Sequence, residues 1–228
     1  MAAVDRRSFL AAAAALVAAG CTSSTSSSGA AATNPFTQGA PPGSVRSAIT
    51  SVVMVGDSIT EASAVQLTGA LNAAGVENAR IEGKASRRIE VGNGKGSAPL
   101  SGVGTVYSLL VEGVDPSAWV IALGTNDVGS YADAEQYGAL IDLITGMLPA
   151  TKSLVWVNTY RSQYLDDTLV FNSVLADRLR ARGNAVVADW YSVASAPDQT
   201  VLQSDNLHPN ENGKLALAFL VLAALQQL

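Results

Sequence analysis

The feature that most constrains the fold is a regular alternation of short apolar segments with longer amphipathic ones. Five short runs, each mostly apolar, predict strands that are covered on both faces. They lie at 51–55, 79–82, 119–123, 154–158 and 185–189. Helical patterns separate and follow them, at 62–74, about 100–112, 133–148, 167–182 and 210–227. Because right-handed crossovers place each helix back over the sheet, this order predicts an α/β fold of three layers, with one parallel sheet between helices.

Composition bounds both the domain count and the chemistry. The chain has 228 residues, of which 48% are hydrophobic, so a single domain over 45–228 can bury a sizeable core. Its formal net charge of −5 and the lack of basic clusters exclude a nucleic-acid partner. One cysteine excludes an internal disulfide, and one histidine excludes a multi-histidine metal site. Carboxylate-only metal sites stay open, but the chemistry expected below requires no metal or organic cofactor.

The first 21 residues are typical of an export signal. Arg6 and Arg7 precede an apolar run that is about half the ~20 residues of a membrane span. The paired arginines resemble a twin-arginine signal, and the small residues before Cys21 resemble a lipobox, although Ala18 stands where Leu is usual. We therefore expect export and a lipid anchor on Cys21 at the extracytoplasmic side of the membrane. The alternative is a stray thiol in a tail.

Residues 22–44 are rich in Ser, Thr, Gly and Pro and are nearly free of charge. Such a composition predicts a flexible tether, because it cannot bury enough apolar surface to offset the entropy of ordering. The folded domain is expected to begin near Val45.

Polar residues follow the predicted strands, at the edge where open α/β sheets bind ligands. "GDS" at 56–58 follows the first strand, 83–88 the second, "GTND" at 124–127 the third and 159–161 the fourth. The segment after the fifth strand carries Asp205 and His208, so it can return to the same edge.

These residues fit nucleophilic catalysis. Ser58 needs a base, which can only be His208, and Asp205 lies three residues before it, where a carboxylate can orient the imidazole. The developing oxyanion needs donors. Candidates are the backbone N–H of Ser58, a second N–H from the loop after strand two, and the side-chain amide of Asn126.

Each of these residues has a simpler alternative. Ser58 can be only a helix cap, Asn126 only part of an Asx turn, and Asp205 only a surface carboxylate. His208 precedes Pro209 and can simply start a helix. For Asp127, the Asx turn is the favoured interpretation.

Together, the motifs resemble the SGNH hydrolases, also called the GDSL esterase/lipase superfamily. "GDSIT", "GTND" and "DNLHPNENG" occur in that order between about Val52 and Leu228. The resemblance implies a flavodoxin-like five-stranded sheet, with Ser58 as nucleophile, His208 as base, Asp205 as orienting acid and Asn126 as oxyanion donor.

The second block departs from the family pattern. The family usually has a glycine whose N–H completes the oxyanion hole, but the stretch here is "IEGKASRRI". Alignment to the form Asp-Ala-x-x-Gly-Arg places Ser86 at the glycine and Arg87 at the arginine. The Ser86 amide is therefore the expected donor, and Gly83 is the alternative.

The expected reaction is hydrolysis of an oxygen ester through an acyl-serine. The resemblance and the export signal together favour short acyl groups on cell-envelope carbohydrate or peptidoglycan, or extracellular esters. An O-acyltransferase acting on envelope sugars would use the same residues, and a non-catalytic glycan-binding module is a third hypothesis. Oligomeric state stays open.

Four side chains after the second and fourth strands are candidates for binding a polar or anionic group, although a structural role is the favoured interpretation. They are Arg87, Arg88, Tyr160 and Arg161. Trp156 and Trp190 are expected to be packing residues.

Overall fold

The computed structural model of the protein describes residues 49–228, which form an α/β fold around one sheet. Five strands pair in parallel, in the order β2-β1-β3-β4-β5. They are β1 Ser51–Gly56, β2 Asn78–Gly83, β3 Ala118–Ala122, β4 Ser153–Val157 and β5 Ala185–Ala188. This is the flavodoxin-like order that the family resemblance implied. The predicted strands are all confirmed, each to within a residue at either end.

Within residues 49–228, six α-helices and one 3₁₀ turn connect and follow the strands. They are α1 Ser58–Ala73, α2 Gly102–Val111, α3 Ala134–Met147, the 3₁₀ turn Ser162–Tyr164, α4 Leu165–Arg182, α5 Trp190–Ala194 and α6 Glu211–Leu225. Helix α1 begins four residues before its predicted start, because the Asp57 side chain caps it by accepting from the Ile59 N–H at 2.9 Å. Helix α5 and the 3₁₀ turn were not predicted, since neither is long enough to show a helical period.

The sheet is the middle of three layers. Val52 and Met54 of β1 pack with α1 and α6 on one face, while Val53 and Val55 pack with α2, α3 and α4 on the other. Strands buried on both faces need apolar side chains at successive positions, which is the pattern of the sequence.

The last helix packs on the sheet, as predicted, and buries Leu217 and Val221. Within residues 49–228, no helix is both long and apolar enough to cross a membrane. Trp156 and Trp190 are 0% and 2% exposed, which confirms that they are packing residues.

Strand register sets the position of the site. Gly56 lies opposite Gly83 on β2 and Ala122 on β3, so three strands end at the same level. The loops that follow these strands therefore start side by side at one edge of the sheet.

Candidate active site

Ser58 lies at the junction between β1 and α1. It is the first residue of the helix and is partly exposed, whereas the preceding Asp57 is 1% exposed. Asp57 satisfies the cap, so the Ser58 side chain is not needed for that role. The alternative interpretation of Ser58 as only a helix cap is therefore wrong.

The structure brings the predicted triad together. Ser58 Oγ lies 3.0 Å from His208 Nε2, although the two residues are 150 positions apart in the sequence. His208 Nδ1 lies 2.6 Å from Asp205 Oδ2. Since an ionised carboxylate only accepts hydrogen bonds, we assign the imidazole proton to Nδ1, which leaves the Nε2 lone pair facing the Ser58 hydroxyl.

The segment that carries His208 is a tight, self-bonded turn. Asp205 Oδ1 accepts from the backbone N–H groups of Leu207 and His208, at 3.1 and 3.0 Å. The His208 carbonyl accepts from the Gln203 N–H at 2.8 Å. In α6, a Cβ at Gly213 would lie only 2.0 Å from the Val201 carbonyl oxygen, so glycine permits the close approach of this helix start.

Asp205 has the charge state that an orienting carboxylate needs. The hydrogen bond from the His208 side chain lowers the pKa of Asp205, and 46% of its side chain is exposed. The carboxylate is therefore ionised at neutral pH and favours the Nδ1–H tautomer of the imidazole.

Asn126 lies between two of the strand-end loops. Its Nδ2 donates to Asp57 Oδ2 at 3.3 Å and to the Arg87 carbonyl at 3.1 Å. Both amide hydrogens therefore have acceptors, and Asn126 donates to an oxyanion only by sharing or releasing one of these bonds. Its role as an oxyanion donor stays a prediction.

Ser86 adopts the conformation that a glycine would favour. Its φ is +61°, in the left-handed region, and the residue is exposed. Among the described residues, no acceptor bonds to its backbone N–H, so this amide is available to a ligand. Gly83 instead packs on α1, where a Cβ would lie 2.3 Å from the Glu61 nitrogen. The geometry favours Ser86 over Gly83 as the donor, and that role too stays a prediction.

Arg87 has the structural role that the sequence favoured over substrate binding. Only 6% of the residue is exposed. Its guanidinium donates to the carbonyls of Leu100 at 3.1 Å and Gly56 at 2.9 Å, and also to that of Glu82. Burial lowers the pKa of Arg87. The side chain fixes the loop after β2 to the end of β1. Because Ser86 directly precedes Arg87, this contact also holds Ser86 in place.

Sequence reasoning missed the role of Asp127. The residue is 0% exposed, and both carboxylate oxygens accept from the Ile89 N–H at 3.2 Å. Arg88 Nε lies 3.4 Å from Oδ1. Asp127 therefore joins the loop after β3 to the loop after β2, and the interpretation as an ordinary Asx turn is wrong. Its place beside Asn126 in "GTND" was the available signal.

Asp57 and Asp127 share an unusual electrostatic environment. Burial raises the pKa of each carboxyl to about 6, partly offset by hydrogen bonds from the Ile59 and Ile89 N–H groups respectively. Both groups are therefore much harder to ionise than an exposed carboxylate.

Arginine and tyrosine side chains flank the "GTND" loop. Arg88 lies over the Tyr131 ring, 5.6 Å from its centroid. Arg161 lies over the Tyr164 ring at 5.0 Å and donates from Nη1 to the Thr125 carbonyl at 2.7 Å. Tyr160 packs edge to face with Tyr191, with 5.9 Å between centroids. Arg161 and Tyr160 are partly exposed at this edge, so they remain candidates for contacting a substrate.

A serine, an imidazole and a carboxylate aligned at the carboxyl edge of a parallel sheet define a serine ester hydrolase. The model of the GDSL-like lipase/acylhydrolase family matches residues 54–216. The chain belongs to this family. Comparison with curated protein sequences gives no match.

Solved structures share this fold at low sequence identity. The catalytic domain of Streptococcus pneumoniae peptidoglycan O-acetyltransferase A is 19% identical, with a TM-score of 0.62 over 78% of this chain and 93% of that one. The carbohydrate acetylesterase Est24 from Sinorhizobium meliloti is 16% identical, with a TM-score of 0.58 over 76% and 98%. A family 3 carbohydrate esterase from Clostridium thermocellum is 17% identical, with a TM-score of 0.57 over 77% and 94%.

Proposed function

We propose that this protein removes short acyl groups, such as acetyl, from hydroxyl groups of carbohydrate through a covalent acyl-serine. The observation that carries the proposal is the continuous hydrogen-bonded chain from Ser58 through His208 to Asp205, at 3.0 and 2.6 Å. A serine hydroxyl becomes an effective nucleophile when a base lies within hydrogen-bond reach and is itself oriented.

In the first half of the reaction, Ser58 Oγ attacks the ester carbonyl while His208 Nε2 takes its proton. The negative oxygen of the tetrahedral intermediate rests on the backbone N–H groups of Ser58 and Ser86, with help from the Asn126 amide. The C–O bond to the alcohol then breaks, and His208 returns the proton to the leaving oxygen. In the second half, water attacks the acyl-serine with His208 again as base, which releases the carboxylic acid.

The surroundings of the triad support a small acyl group and a polar alcohol. Arg161 lies at the edge that carries Ser58, and a cavity of about 190 Å³ there has Arg161, Ser162 and Gln163 in its lining. Two larger cavities, of about 250 and 400 Å³, lie at the opposite edge, where β1 begins near Ser51 and α6 ends near Leu225. Neither is placed to take a long acyl chain from Ser58.

Hydrolysis of p-nitrophenyl acetate by residues 45–228 tests the enzymatic part of the proposal. We expect nitrophenol release that falls by at least about 10³-fold in Ser58→Ala. Equal release by the wild type and the variant would remove the catalytic role of Ser58. A thermal melt of both proteins controls for folding.

A transferase is the second candidate, because the fold is shared with a peptidoglycan O-acetyltransferase domain. The two activities differ in whether water or a sugar hydroxyl reaches the acyl-serine. The two activities are separated by adding a sugar acceptor to the same assay and identifying the products by mass spectrometry. Acylated sugar formed in proportion to nitrophenol favours transfer, and acetate alone favours hydrolysis.

We also propose export, with a lipid anchor on Cys21 that holds the domain on the extracytoplasmic side of the membrane. Cys21, the signal at 1–21 and the whole tether at 22–44 lie outside the described residues, so support comes from sequence alone. It consists of the paired arginines, the short apolar run and the small residues before the cysteine. Cys21→Ala should move the protein from the membrane fraction to the medium. Unchanged partitioning would contradict the anchor.

A further inference from the structure

A small cavity lies directly beside the Asp205 end of the triad. Its volume is about 190 Å³, which is less than the roughly 300–1,000 Å³ of a typical ligand pocket, so it holds only part of a ligand. Five of its six lining residues are polar. The polar five are Arg161, Ser162, Gln163, Asp205 and Asn206, and the sixth is Leu207.

The position of this cavity identifies which half of an ester it receives. His208 protonates the leaving alcohol, so the alcohol oxygen must come within hydrogen-bond distance of Nε2. The cavity is lined by the three residues that immediately precede His208 in the chain. The cavity therefore adjoins the imidazole through Asp205, and its polar lining suits a hydroxylated alcohol better than an apolar acyl chain.

Arg161 gives the cavity a fixed positive charge. Its guanidinium is held in place by the Thr125 carbonyl at 2.7 Å and by the Tyr164 ring at 5.0 Å. Only Nη1 is used in a hydrogen bond, and within residues 49–228 no carboxylate forms an ion pair with Arg161. The remaining N–H groups form the planar fork that binds a carboxylate through two bonds.

Asp205, the other charged group in the lining, forms no ion pair with Arg161 among the described residues. Asp205 directs Oδ2 to the imidazole and Oδ1 to two backbone N–H groups of its own turn. Both carboxylate oxygens of Asp205 therefore already accept hydrogen bonds within the triad and its turn. The side chains of Ser162, Gln163 and Asn206 add neutral donors and acceptors of the kind that sugar hydroxyls bind.

We propose that this cavity is the subsite for the alcohol half of the substrate, and that Arg161 selects an acidic sugar by binding its carboxylate. The inference rests on the proposed esterase function and names its substrate class. Arg161 is here a specificity-determining residue that contacts the substrate but takes no part in proton transfer.

Two acetylated probes test the proposal with the purified full-length protein. One is a mono-acetylated methyl glucuronide, and the other is the methyl glucoside acetylated at the same hydroxyl, which replaces the carboxylate by a hydroxymethyl group. We expect the wild type to show the higher kcat/KM for the acidic ester. Arg161→Gln should lower the ratio of the two kcat/KM values about five- to tenfold, mainly through KM for the acidic ester. Arg161→Lys keeps the charge but loses the planar fork, so its ratio of kcat/KM values should lie between those of the wild type and Arg161→Gln.

Arg178→Gln is the control, because Arg178 is a solvent-accessible arginine that pairs with Asp142 at 3.1 Å between α3 and α4. It should leave the ratio unchanged. The wild-type ratio should also fall as NaCl is raised from about 50 to 500 mM, since salt screens exposed charges.

An unchanged ratio in Arg161→Gln, or no wild-type preference for the acidic ester, overturns the proposal. If Arg161→Gln does not fold, as judged by its thermal melt, the Lys variant and the salt series decide between the same outcomes. Failure of the esterase function itself looks different. In that case, the wild type shows no Ser58-dependent release from p-nitrophenyl acetate.

Discussion

Asp205 and Asp127 lie at the same edge of the sheet but in opposite environments. Asp205 lies on an exposed turn, bonds the imidazole at 2.6 Å and has a lowered pKa. Asp127 is fully buried, bonds the backbone of the loop after β2 and has its pKa raised to about 6. The comparison separates two tasks. The exposed carboxylate controls a proton at low structural cost, and the buried one fixes a loop at the expense of desolvating its charge.

If this division is correct, substitutions in the exposed turn reduce the rate and leave stability nearly intact, while substitutions at the buried contacts reduce stability first. Asn126 lies between the two regions, because it bonds to buried Asp57 and to the loop that carries Ser86. Substitution of Asn126 should therefore lower both the rate and the stability.

The largest effect is expected from Asp205→Asn. The amide can no longer favour the Nδ1–H tautomer, so kcat for p-nitrophenyl acetate should fall about 10³- to 10⁴-fold. The unfolding free energy should change by less than about 1 kcal/mol, since the pair is largely exposed. Stopped assays and urea titrations measure the two quantities. A large stability loss with normal kcat would reverse the division of tasks.

Asn126→Ala should have the next largest effect. Loss of one oxyanion donor typically lowers kcat about 10²- to 10³-fold. Asn158→Ala is the control, because Asn158 is a buried asparagine that bonds Asp189 and the Tyr191 N–H and no residue of the triad. The control should lose stability and keep kcat within a few-fold of the wild type. Equal kcat losses in both variants would assign Asn126 a structural role only.

Asp127→Ala should mainly destabilise the fold. It leaves the Ile89 N–H buried without its acceptor and Arg88 without its partner, at about 1–3 kcal/mol. Asp142→Ala removes an exposed partner of Arg178 and should cost less than about 1 kcal/mol. Chemical denaturation measures both. Equal losses would mean that burial of Asp127 contributes nothing specific.

The raised pKa of Asp127 predicts that the unfolding free energy depends on pH with a defined sign. Its folded pKa of about 6 lies above the usual aspartate pKa of 3.8, so between about pH 4 and 6 the folded state binds more protons than the unfolded state. The contribution of Asp127 to stability therefore falls as pH rises through this window. In Asp127→Asn, the unfolding free energy should fall less steeply there, with the remainder due to Asp57. An identical slope would show that Asp127 titrates normally.

The smallest effect is expected from Ser86→Gly. Glycine relieves the left-handed backbone at φ +61°, but it increases the entropy of the unfolded chain, so the two effects nearly cancel. Stability should change by less than about 1 kcal/mol, and kcat should stay within about threefold because the N–H is kept. A tenfold gain in kcat would show that serine holds this amide out of position.

Much of the fold could be predicted because its signals are local. Each strand is a short apolar run between helical periods, and the order of the elements restricts the sheet to a few topologies. Helix α1 was predicted to start too late because its cap is Asp57, inside a motif that was interpreted as a loop. The burial of Arg87 and the contacts of Asp127 with the loop after β2 could not be predicted, since polar residues in a loop give no sign that tertiary contacts will bury them.

By itself, the sequence determined which groups are available for chemistry: one histidine in the whole chain, an aspartate three residues before it, and a serine at the end of the first strand. These are facts of composition and spacing. Only the tertiary structure decided that Ser58 and His208 meet at 3.0 Å, that Arg87 turns inward, and that Ser86 takes a backbone conformation suited to glycine. The physical reason is that burial, partner choice and backbone strain depend on residues distant in the chain, which are brought together only when the five strands end at one edge.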